Sequence, residues 1–494
     1  MRPPPNLPLA TLLTLLLVSA GCMVGPHYNR PSAVAPPAFK EQPPVNFKEA
    51  EAAGWKQSQP ADAYSKGRWW ELYNDAALNA LEEQVSVSNQ NVLQAEAQYR
   101  QAKAAVTVAR AALFPVVTTT PSITAAGGPS ATGSSSGTSA SRTSFNLPIN
   151  ASWEPDLWGN IRRGVTESTA TAQSQAANVG NARLLYQAEL AQDYFGLHGT
   201  DGEAELLTRT ETSYKEYLTL TQNRFSAGVA SDLDVAQAES QLYGVQAQLM
   251  DLGVERAAFE HAIAILIGKA PAELTIPPVT LKASPPPVPL GVPSELLERR
   301  PDIAGAERQV AAANEQIGIA VAAFYPTLSL TGSAGLESSS LAKWFTWPSR
   351  FWAVGPQLAE TLFDAGRRRG VVVEQRAAYD ATVAAYRETV LTAMQQVEDN
   401  LAALRILAKE ADKVEQTVQA AKRALDISSD QYRAGTASYL TVITSQATLL
   451  DADVTAVTLL TRRLTASVLL IEALGGGWNA SQLPTRQDVA ARQR

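Results

Sequence analysis

Cysteine and histidine are almost absent from this chain of 494 residues. The one cysteine, Cys22, excludes a disulfide framework, because a framework needs pairs of thiols. The three histidines, His27, His198 and His261, are far apart in the sequence and show no spacing typical of metal ligands. We therefore expect neither a disulfide-stabilised fold nor a metal site, and the sequence predicts no cofactor.

Positive charge and aromatic residues are also scarce. The chain has 41 Lys and Arg against 48 Asp and Glu, a net charge of −7, and 7% aromatic residues. Scattered basic residues in an acidic chain argue against nucleic acid as a partner. No carboxylate pair stands beside a nucleophile, and the glycines at 475–477 lack the Lys and Ser/Thr of a phosphate-binding loop. The sequence thus offers no residues for an enzymatic function.

An internal repeat organises the chain. Residues 225–233 and 432–440 both read aromatic-x-Ala-Gly-x-Ala-Ser-x-Leu, and their glycines, Gly228 and Gly435, lie 207 residues apart (435 − 228). Glycine can adopt the left-handed conformation that ends a helix. Long Ala-, Gln-, Leu- and Glu-rich stretches without proline flank both turns. Each turn is therefore predicted to be the tip of a helical hairpin.

The helices of these hairpins can be bounded from the sequence. Ser231 and Ser438 follow the glycines by three residues, and their hydroxyls are expected to cap the returning helices. Apolar residues recur at spacings of three and four from Val383 to Leu404, which predicts a coiled-coil seam. The predicted helices are 75–113, 161–225, 231–267, 301–324, 367–433 and 438–474.

Four stretches between the helices alternate in the manner of strands. In residues 145–154 apolar side chains alternate with polar ones, which is typical of a half-buried strand. The other predicted strands are 116–125, 327–336 and 352–362, and a Gly/Ser/Thr-rich exposed loop is expected at 127–141. Each strand has about ten residues, the length that crosses a bilayer as a tilted strand. Pro148 and Pro356 are unusual inside strands.

The N-terminus has the pattern of an export signal. A basic residue, a short apolar run and small residues precede Cys22, and this ending resembles a bacterial lipobox, in which the cysteine is lipidated. The alternative is an ordinary cleavage site with an incidental cysteine. Residues 23–67 are rich in proline and alanine, and we expect an extended strap rather than a packed element.

Four strands cannot close a barrel, and an open sheet edge is not tolerated in lipid. If the strands cross a membrane, copies of the same chain must complete the sheet. Three copies would supply about twelve strands, an even number within the range of outer-membrane barrels.

Residues 296–303 read Leu-Leu-Glu-Arg-Arg-Pro-Asp-Ile and resemble the signature of outer-membrane efflux lipoproteins, the NodT type of the TolC-like outer membrane factors. Further matching stretches are 21–31, 306–320, 363–367, 397–399 and 473–478. The resemblance implies a mainly α-helical TolC-like fold with a small β part: a homotrimer with a shared twelve-stranded barrel in the outer membrane above a periplasmic helical tunnel. It also implies a periplasmic adaptor protein and an inner-membrane pump, usually of the RND class, as partners.

The same resemblance implies that the hairpin tips form the periplasmic mouth and contact the adaptor. The tip residues are Ala227, Gly228, Val229, Ala434, Gly435 and Thr436. The pore constriction is expected after the second tip, at Leu440, Thr441 and Thr444. Threonine stands there where the family often has acidic residues, so we expect a collar that is less cation-selective than a ring of aspartates.

Asp232 and Asp234, after the first tip, could supply negative charge to the constriction, but acids in a first turn also stabilise a helix N-terminus. For the signature we expect salt-bridge and helix-start roles rather than chemistry. Its residues are Arg299, Arg300, Pro301, Asp302 and Glu307.

The expected division of the chain follows its two halves. It comprises a signal peptide (1–21), a lipid-anchored extended segment (22–68), a first repeat (69–267), a Pro-rich linker (268–293), a second repeat (294–478) and a flexible tail (479–494). The predicted function is a passive, tip-gated duct that exports small molecules from a tripartite efflux system. The alternatives are the exit duct of a type I protein-secretion system and a lipid-anchored periplasmic coiled-coil scaffold.

Overall fold

The computed structural model describes residues 23–33, 35–41, 67–126, 142–281, 284–286 and 293–490. The predicted signal peptide, Cys22 and the loop at 127–141 lie outside these residues. The α-helices of the described residues are α1 (Ala76–Ser88), α2 (Gln90–Ala111), α3 (Asn160–Ser226), α4 (Asp232–Leu266), α5 (Leu296–Arg299), α6 (Pro301–Ala322), α7 (Arg367–Arg433), α8 (Tyr439–Ala473) and α9 (Arg486–Ala490).

The four longest helices form two equivalent hairpins. Helices α3 and α7 have 67 residues each, and α4 and α8 have 35 each. Both bounds of α7 and of α8 lie 207 residues after those of their counterparts. A helix of 67 residues is roughly 100 Å long. The predicted long hairpins are confirmed, and the bounds of their helices repeat with one offset of 207 residues.

The single helix predicted at 75–113 is wrong, because Asn89 divides it into α1 and α2. The backbone of Asn89 is extended, and its Oδ1 accepts the N–H groups of Asn91 and Val92 at 2.9 and 3.1 Å. Its Nδ2 donates to the carbonyl of Leu266, at the end of α4, at 2.8 Å. The asparagine side chain thus ends one helix, caps the next and fixes both to the first hairpin.

The strands are β1 (Val116–Thr119), β2 (Ser122–Ala126), β3 (Arg142–Trp153), β4 (Thr327–Ser338) and β5 (Arg350–Ala359), and they form one antiparallel sheet. The strand predicted at 116–125 is therefore two strands. Both pair with β3 in a single register, since Thr119 faces Ile149 and Ser122 faces Asn146. Pro121 and Pro148 fall at the interruption, where the missing N–H donors break the ladder.

The other two pairings of the sheet are uninterrupted. Pro148 also lies opposite Gly335 of β4, where a side chain on Gly335 would collide with the backbone of β3. Pro356 belongs to β5, an edge strand of this sheet, and lies opposite Leu330 of β4. A missing N–H on the free side of an edge strand breaks no bond among the described residues. Both prolines in the strands thus have positions that the ladder tolerates.

The order of the strands is the order of the helices that continue them. Helix α2 leads into β1, β3 into α3, α6 into β4, and β5 into α7. The helices pack side by side in the order α2, α3, α6, α7, which matches β1, β3, β4, β5 in the sheet. The chain therefore forms one continuous wall with a sheet at one end and helices at the other.

Two apolar clusters hold the wall together. The first packs α1 against α3, α4 and α8 around Trp69, Trp70 and Tyr73. The second lies between α6, α7 and the end of α8. Helix α8 is the one helix of the described residues that is long and apolar enough to cross a bilayer, yet it packs along α7 and α3. The predicted α7 seam is confirmed in the second cluster, by Val383, Tyr386, Val390, Met394, Val397, Leu401 and Leu404.

The described part of the N-terminal segment, residues 23–33 and 35–41, is called the strap below. It forms no helix or strand, as predicted, but it is packed against the wall, contrary to expectation. Phe39 is buried in the second cluster, and the N–H groups of Lys40 and Glu41 donate to the carboxylate of Glu398 on α7 at 2.7 and 2.9 Å. The strap therefore lies over α6 and α7 for most of its length.

A buried arginine attaches the start of the strap. Arg163 of α3 is 1% exposed, and it donates to the carbonyls of Val24 and Pro26 at 2.8 and 3.1 Å. Its third contact is an ion pair of 2.7 Å with Glu315 of α6, which is also buried. Three segments that are distant in sequence thus meet at one guanidinium.

The linker and the tail are also attached to the wall. Buried Asp201 of α3 accepts from His198, from Arg256 of α4 and from the N–H of Val279 in the linker. The flexible tail predicted at 479–494 is wrong for its described part, since Val489 of α9 is buried against Val106 and Ala172. Helix α9 is too short to be read from sequence, and its contacts on α2 and α3 hold it.

We predict that Arg163→Gln releases the strap. Removing one partner of a buried ion pair costs about 3–5 kcal/mol, so strap cleavage by a protease should be at least about tenfold faster. Arg387→Gln is the matched control, because this side chain donates to Ser32 of the strap at 3.3 Å from an exposed position. Equal cleavage rates for the wild type and Arg163→Gln would refute the role of this arginine.

Candidate functional site: the two-faced sheet and the hairpin tips

The sheet has one mainly apolar face and one mainly polar face. The register places Trp153, Leu330 and Pro356 side by side, so alternate residues of neighbouring strands share a face. The apolar face carries Val117, Ile123, Phe145, Leu147, Ile149, Trp153, Leu328, Leu330, Leu336, Trp352, Val354 and Leu358. The opposite face carries Asn146, Asn150, Ser152, Thr327, Ser329, Thr331, Ser333, Glu337 and Gln357.

The apolar face is open in the single chain. Trp352 and Val354 are 80% and 79% exposed, and Leu358 is 68% exposed. A monomeric water-soluble protein rarely leaves a continuous apolar surface of this kind uncovered. Apolar-out, polar-in alternation over strands of about ten residues is the pattern of a lipid-facing barrel wall.

Aromatic residues lie at both ends of this face. At the helical end Trp158 stacks on Tyr325 with ring centroids 4.8 Å apart. At the other end Phe145 packs on Trp344 at 5.5 Å, and Trp347 beyond it is 77% exposed. Two aromatic levels separated by an apolar band match the girdles at the two interfaces of a bilayer.

The first tip is a helix stop of the Schellman type. The N–H of Gly228 donates to Phe225 and that of Val229 to Arg224, both at 2.8 Å, while Gly228 has φ of +73°. Ser231 then caps α4: its hydroxyl and N–H make a reciprocal capping box with Asp234. The predicted stop and cap are both confirmed at this tip.

The second tip has the same stop but a different cap. Gly435 has φ of +78°, and the N–H groups of Gly435 and Thr436 donate to Tyr432 and Gln431. The cap predicted for Ser438 is wrong, because its side chain accepts no backbone N–H and lies instead 3.3 Å from the hydroxyl of Thr441. The tip residues are exposed in both hairpins: Ala227, Gly228, Val229, Ala434, Gly435 and Thr436.

The two tips are joined within one chain by Arg224, which the sequence reading missed. Its Nη1 donates to the carbonyl of Tyr432 at 2.9 Å, and its guanidinium lies over the Tyr432 ring, 4.6 Å from the centroid. The carbonyl belongs to the last turn of α7, where a cation also meets the negative end of the helix dipole. A basic residue in the last turn of α3 was visible in sequence, but its partner in the other hairpin was not.

Leu440, Thr441 and Thr444, the predicted constriction residues, lie on one exposed face of α8. The Thr444 hydroxyl donates to backbone carbonyls of its own helix, those of Leu440 and Thr441, at 3.1 and 2.9 Å. Of the two acids after the first tip, Asp232 is exposed, whereas the carboxylate of Asp234 is engaged in the capping box.

The signature residues lie where α6, α7 and α8 meet. Arg300 makes a bidentate pair with Asp302 at 2.6 and 3.0 Å, and its Nη1 also donates to Gln396 and to the carbonyl of Ala473 at the end of α8. Burial raises the pKa of nearby Glu472 to about 7, against the lowering effect of this guanidinium.

The remaining signature residues begin or brace helices. Pro301 is the first residue of α6, Arg299 pairs with Glu295 at 2.8 Å, and Glu307 pairs with Arg308 and accepts from the hydroxyl of Tyr28. These are the helix-start and salt-bridge contacts that the sequence suggested.

The chain can now be compared with known proteins. Residues 81–269 and 292–476 match the family model described as outer membrane efflux protein. Similar curated proteins include the probable efflux pump outer membrane protein TtgC of Pseudomonas putida KT2440, 30% identical over 474 residues, which are 95% of this chain and 96% of the relative. Outer membrane protein OprJ of Pseudomonas aeruginosa is 30% identical over 480 residues, with 94% and 95% covered.

Similar solved structures include the outer-membrane channel OprN, with a TM-score of 0.85 and 28% identity over 92% of this chain and 100% of that chain. The open state of the MtrE channel of Neisseria gonorrhoeae has a TM-score of 0.80 and 25% identity over 93% of this chain and 99% of that chain. The apolar band, the long hairpins and all three comparisons agree: the chain belongs to the outer membrane efflux protein family and is an outer-membrane efflux channel with a TolC-like fold.

Proposed function

We propose that three copies of this chain form one closed duct, which exports small organic molecules and performs no chemistry itself. The observation that carries this proposal is the sheet. Its two edges, formed by β1 and β2 on one side and by β5 on the other, are unpaired among the described residues. Lipid offers no hydrogen bonds to such edges. Since β1 and β2 lie end to end along β3, they count as one strand position, and each copy supplies four positions. Three copies therefore supply twelve.

The helices supply a second reason for self-association. Exposed apolar residues on α4 recur at spacings of 7, 4 and 11, which places Tyr243, Met250, Val254 and Ile265 on one helical face. Helix α7 likewise exposes Leu391, Ile406 and Ile427. We propose that the α4 face of one copy packs on α7 of the next, so that the helical walls close below the sheet.

The lipid anchor at Cys22 is part of the proposal. Met23, the next residue, lies against Gly159, and the N–H of Val24 donates to Trp158 at 3.2 Å. Trp158 belongs to the aromatic level at the base of the sheet. The strap therefore starts where an acylated residue could reach the bilayer, and two or more acyl chains would hold it there stably.

The proposed partners follow from the tips. The six exposed tip residues have small side chains apart from Val229 and Thr436, so a helical hairpin of a periplasmic adaptor could approach the backbone closely. An inner-membrane RND-type pump would supply the energy. Other similar proteins from Pseudomonas putida are named as outer membrane proteins of antibiotic, toluene and solvent efflux pumps. These names favour small molecules over secreted proteins as cargo.

We predict that Val254→Asp prevents trimer formation and abolishes conductance in planar bilayers. A carboxylate buried in an apolar interface without a partner costs several kcal/mol, so the heat-sensitive trimer should fall at least about tenfold. Gln248→Asp is the control on the other side of α4, where the side chain is also exposed. A stable, water-soluble wild-type monomer would instead favour the periplasmic scaffold.

The contact of Arg224 with Tyr432 suggests how the tips are held. We propose that it keeps the two hairpins of one chain together until an adaptor binds the separated state more tightly. Arg224→Gln should then raise the open probability of the purified trimer roughly tenfold, since a charge-assisted hydrogen bond contributes about 1.5–3 kcal/mol. Arg433→Gln, which removes an exposed charge beside the same tip, should leave the conductance unchanged.

We also propose that Leu440, Thr441 and Thr444 form the narrowest collar and that this collar discriminates weakly between ions. Uncharged hydroxyls bonded to their own helix concentrate cations less than a ring of carboxylates does. Thr444→Asp should therefore increase cation selectivity in single-channel recordings. Strong cation selectivity of the wild type that only substitution of Thr441 or Thr444 removes would contradict the collar.

A further inference from the structure

The strap leaves part of the groove between α6 and α7 uncovered. Residues 25–27 and 29 of the strap and the two helices line an open cavity of about 520 Å³, called the strap cavity below. Its helical walls include Asn314, Ile317 and Val321 on α6 and Arg376 and Tyr379 on α7. This volume lies within the range of small-ligand sites.

The position of the strap cavity relative to the sheet is given by the helix ends. Helix α6 ends at Ala322 and passes into β4, so Val321 lies next to the sheet. Asn314 lies seven residues before Val321, which places it roughly 10 Å below Val321 along α6. Arg376 lies nine residues after the start of α7, which places it roughly 14 Å below the sheet end of that helix. Since the apolar face of the sheet marks the bilayer, the cavity begins at the periplasmic surface of the outer membrane and extends downward.

The lower end of the cavity carries donors without acceptors. Asn314 is 4% exposed, yet its Nδ2 has no hydrogen-bond partner among the described residues. Such a buried, unsatisfied group is costly unless a ligand or water accepts from it. Arg376 is exposed and makes neither a salt bridge nor a hydrogen bond with any part of the chain that the structure describes. Two donors therefore line a space in which no described carboxylate is bonded to either of them.

The carboxylates around the cavity do not fill this role. Glu315 is paired with Arg163, and Glu307 is paired with Arg308 and accepts from Tyr28. Asp380, one turn along α7 from Arg376, makes no ion pair within the described residues. The guanidinium of Arg376 is therefore left without a paired carboxylate among the described residues.

The upper end of the cavity is apolar. Ile317 is 6% exposed, and Val321 continues the same side of α6 toward the sheet. Donors below and aliphatic side chains above have the polarity of a phospholipid in the inner leaflet of this membrane, whose headgroup points to the periplasm and whose acyl chains point into the bilayer. A small free anion would make no favourable contact with the aliphatic side chains at the upper end.

We propose that the strap cavity binds the phosphate headgroup of an outer-membrane phospholipid. Arg376 and Asn314 donate to its phosphate oxygens, and one acyl chain passes Ile317 and Val321 into the bilayer. The bound lipid would then brace the first residues of the strap against α6 and α7, next to the anchor of the chain itself. The site adds a lipid ligand to the channel and is independent of the cargo and of the adaptor.

The test is native mass spectrometry of the full trimer, extracted in mild detergent and exchanged into phosphatidylglycerol. The wild type should retain noncovalent phosphatidylglycerol, up to one per protomer, whereas the chain's own acyl groups remain part of its covalent mass. Arg376→Gln should retain roughly tenfold less, because a charge-assisted hydrogen bond to phosphate is lost. Val321→Trp fills the apolar end and should also reduce retention. Arg423→Gln removes an exposed arginine lower on α7 and should retain as much lipid as the wild type.

Three results would overturn the proposal. The first is a wild-type trimer without bound phosphatidylglycerol, or equal retention by the wild type and Arg376→Gln. The second is equal protection against heat by inorganic phosphate and by a short-chain phosphatidylglycerol, which would indicate a plain anion site. The third is failure of a thiol reagent to reach Arg376→Cys in a lipid-free trimer, since a neighbouring copy would then occupy the cavity.

Discussion

The unpaired hydrogen-bonding groups at the edges of the sheet constrain everything else in this protein. An edge strand in water can be solvated, but an edge strand in lipid has no substitute for its missing partner. The apolar face with Trp352 and Val354 nevertheless commits the sheet to lipid. These two requirements are compatible when other copies pair with both edges, and the single chain is therefore a segment of a larger wall.

The continuity of strand and helix order explains how such a segment can also build a tube. Because β1, β3, β4 and β5 are each continuous with a helix of the wall, the lateral order that backbone hydrogen bonds fix in the sheet also fixes the order of the helices below. Side-chain packing then has to determine only the rotation of each helix about its axis, because the strand order already determines which helices are neighbours. Gly335 allows β3 and β4 to approach at Pro148, where any larger residue would collide with the backbone of β3.

The two hairpins have the same lengths but different chemistry at their tips. The first has a complete capping box at Ser231, while the second lacks a side-chain cap and receives Arg224 from its neighbour at the end of α7. The first hairpin thus caps its own returning helix, and its Arg224 also donates a hydrogen bond to the second hairpin. This asymmetry makes the second tip dependent on the first, and the contact between the tips can break without unfolding either hairpin.

Sequence alone determined the features that depend on neighbouring residues. The helix stops at Gly228 and Gly435, the alternation of the strands and the seam of α7 follow from local rules of backbone conformation and periodicity, and the repeat of 207 residues tied the two halves together. Two elements that sequence reasoning placed wrongly, the helix at 75–113 and the tail, both depend on contacts with residues that are distant in sequence. The break at Asn89 is fixed by Leu266, and the folded tail is held by Val489 on residues more than 300 positions away.

The tertiary structure decided which distant groups meet. The reach of Arg224 to Tyr432, the attachment of the strap by Arg163 and the cavity below Val321 each join segments with no shared local signal. Periodicity specifies the face of a helix that will be buried, but it does not specify which helix will bury it. That choice depends on the packing of the whole chain, and in this protein the packing also brings together the residues that hold the tips and the strap.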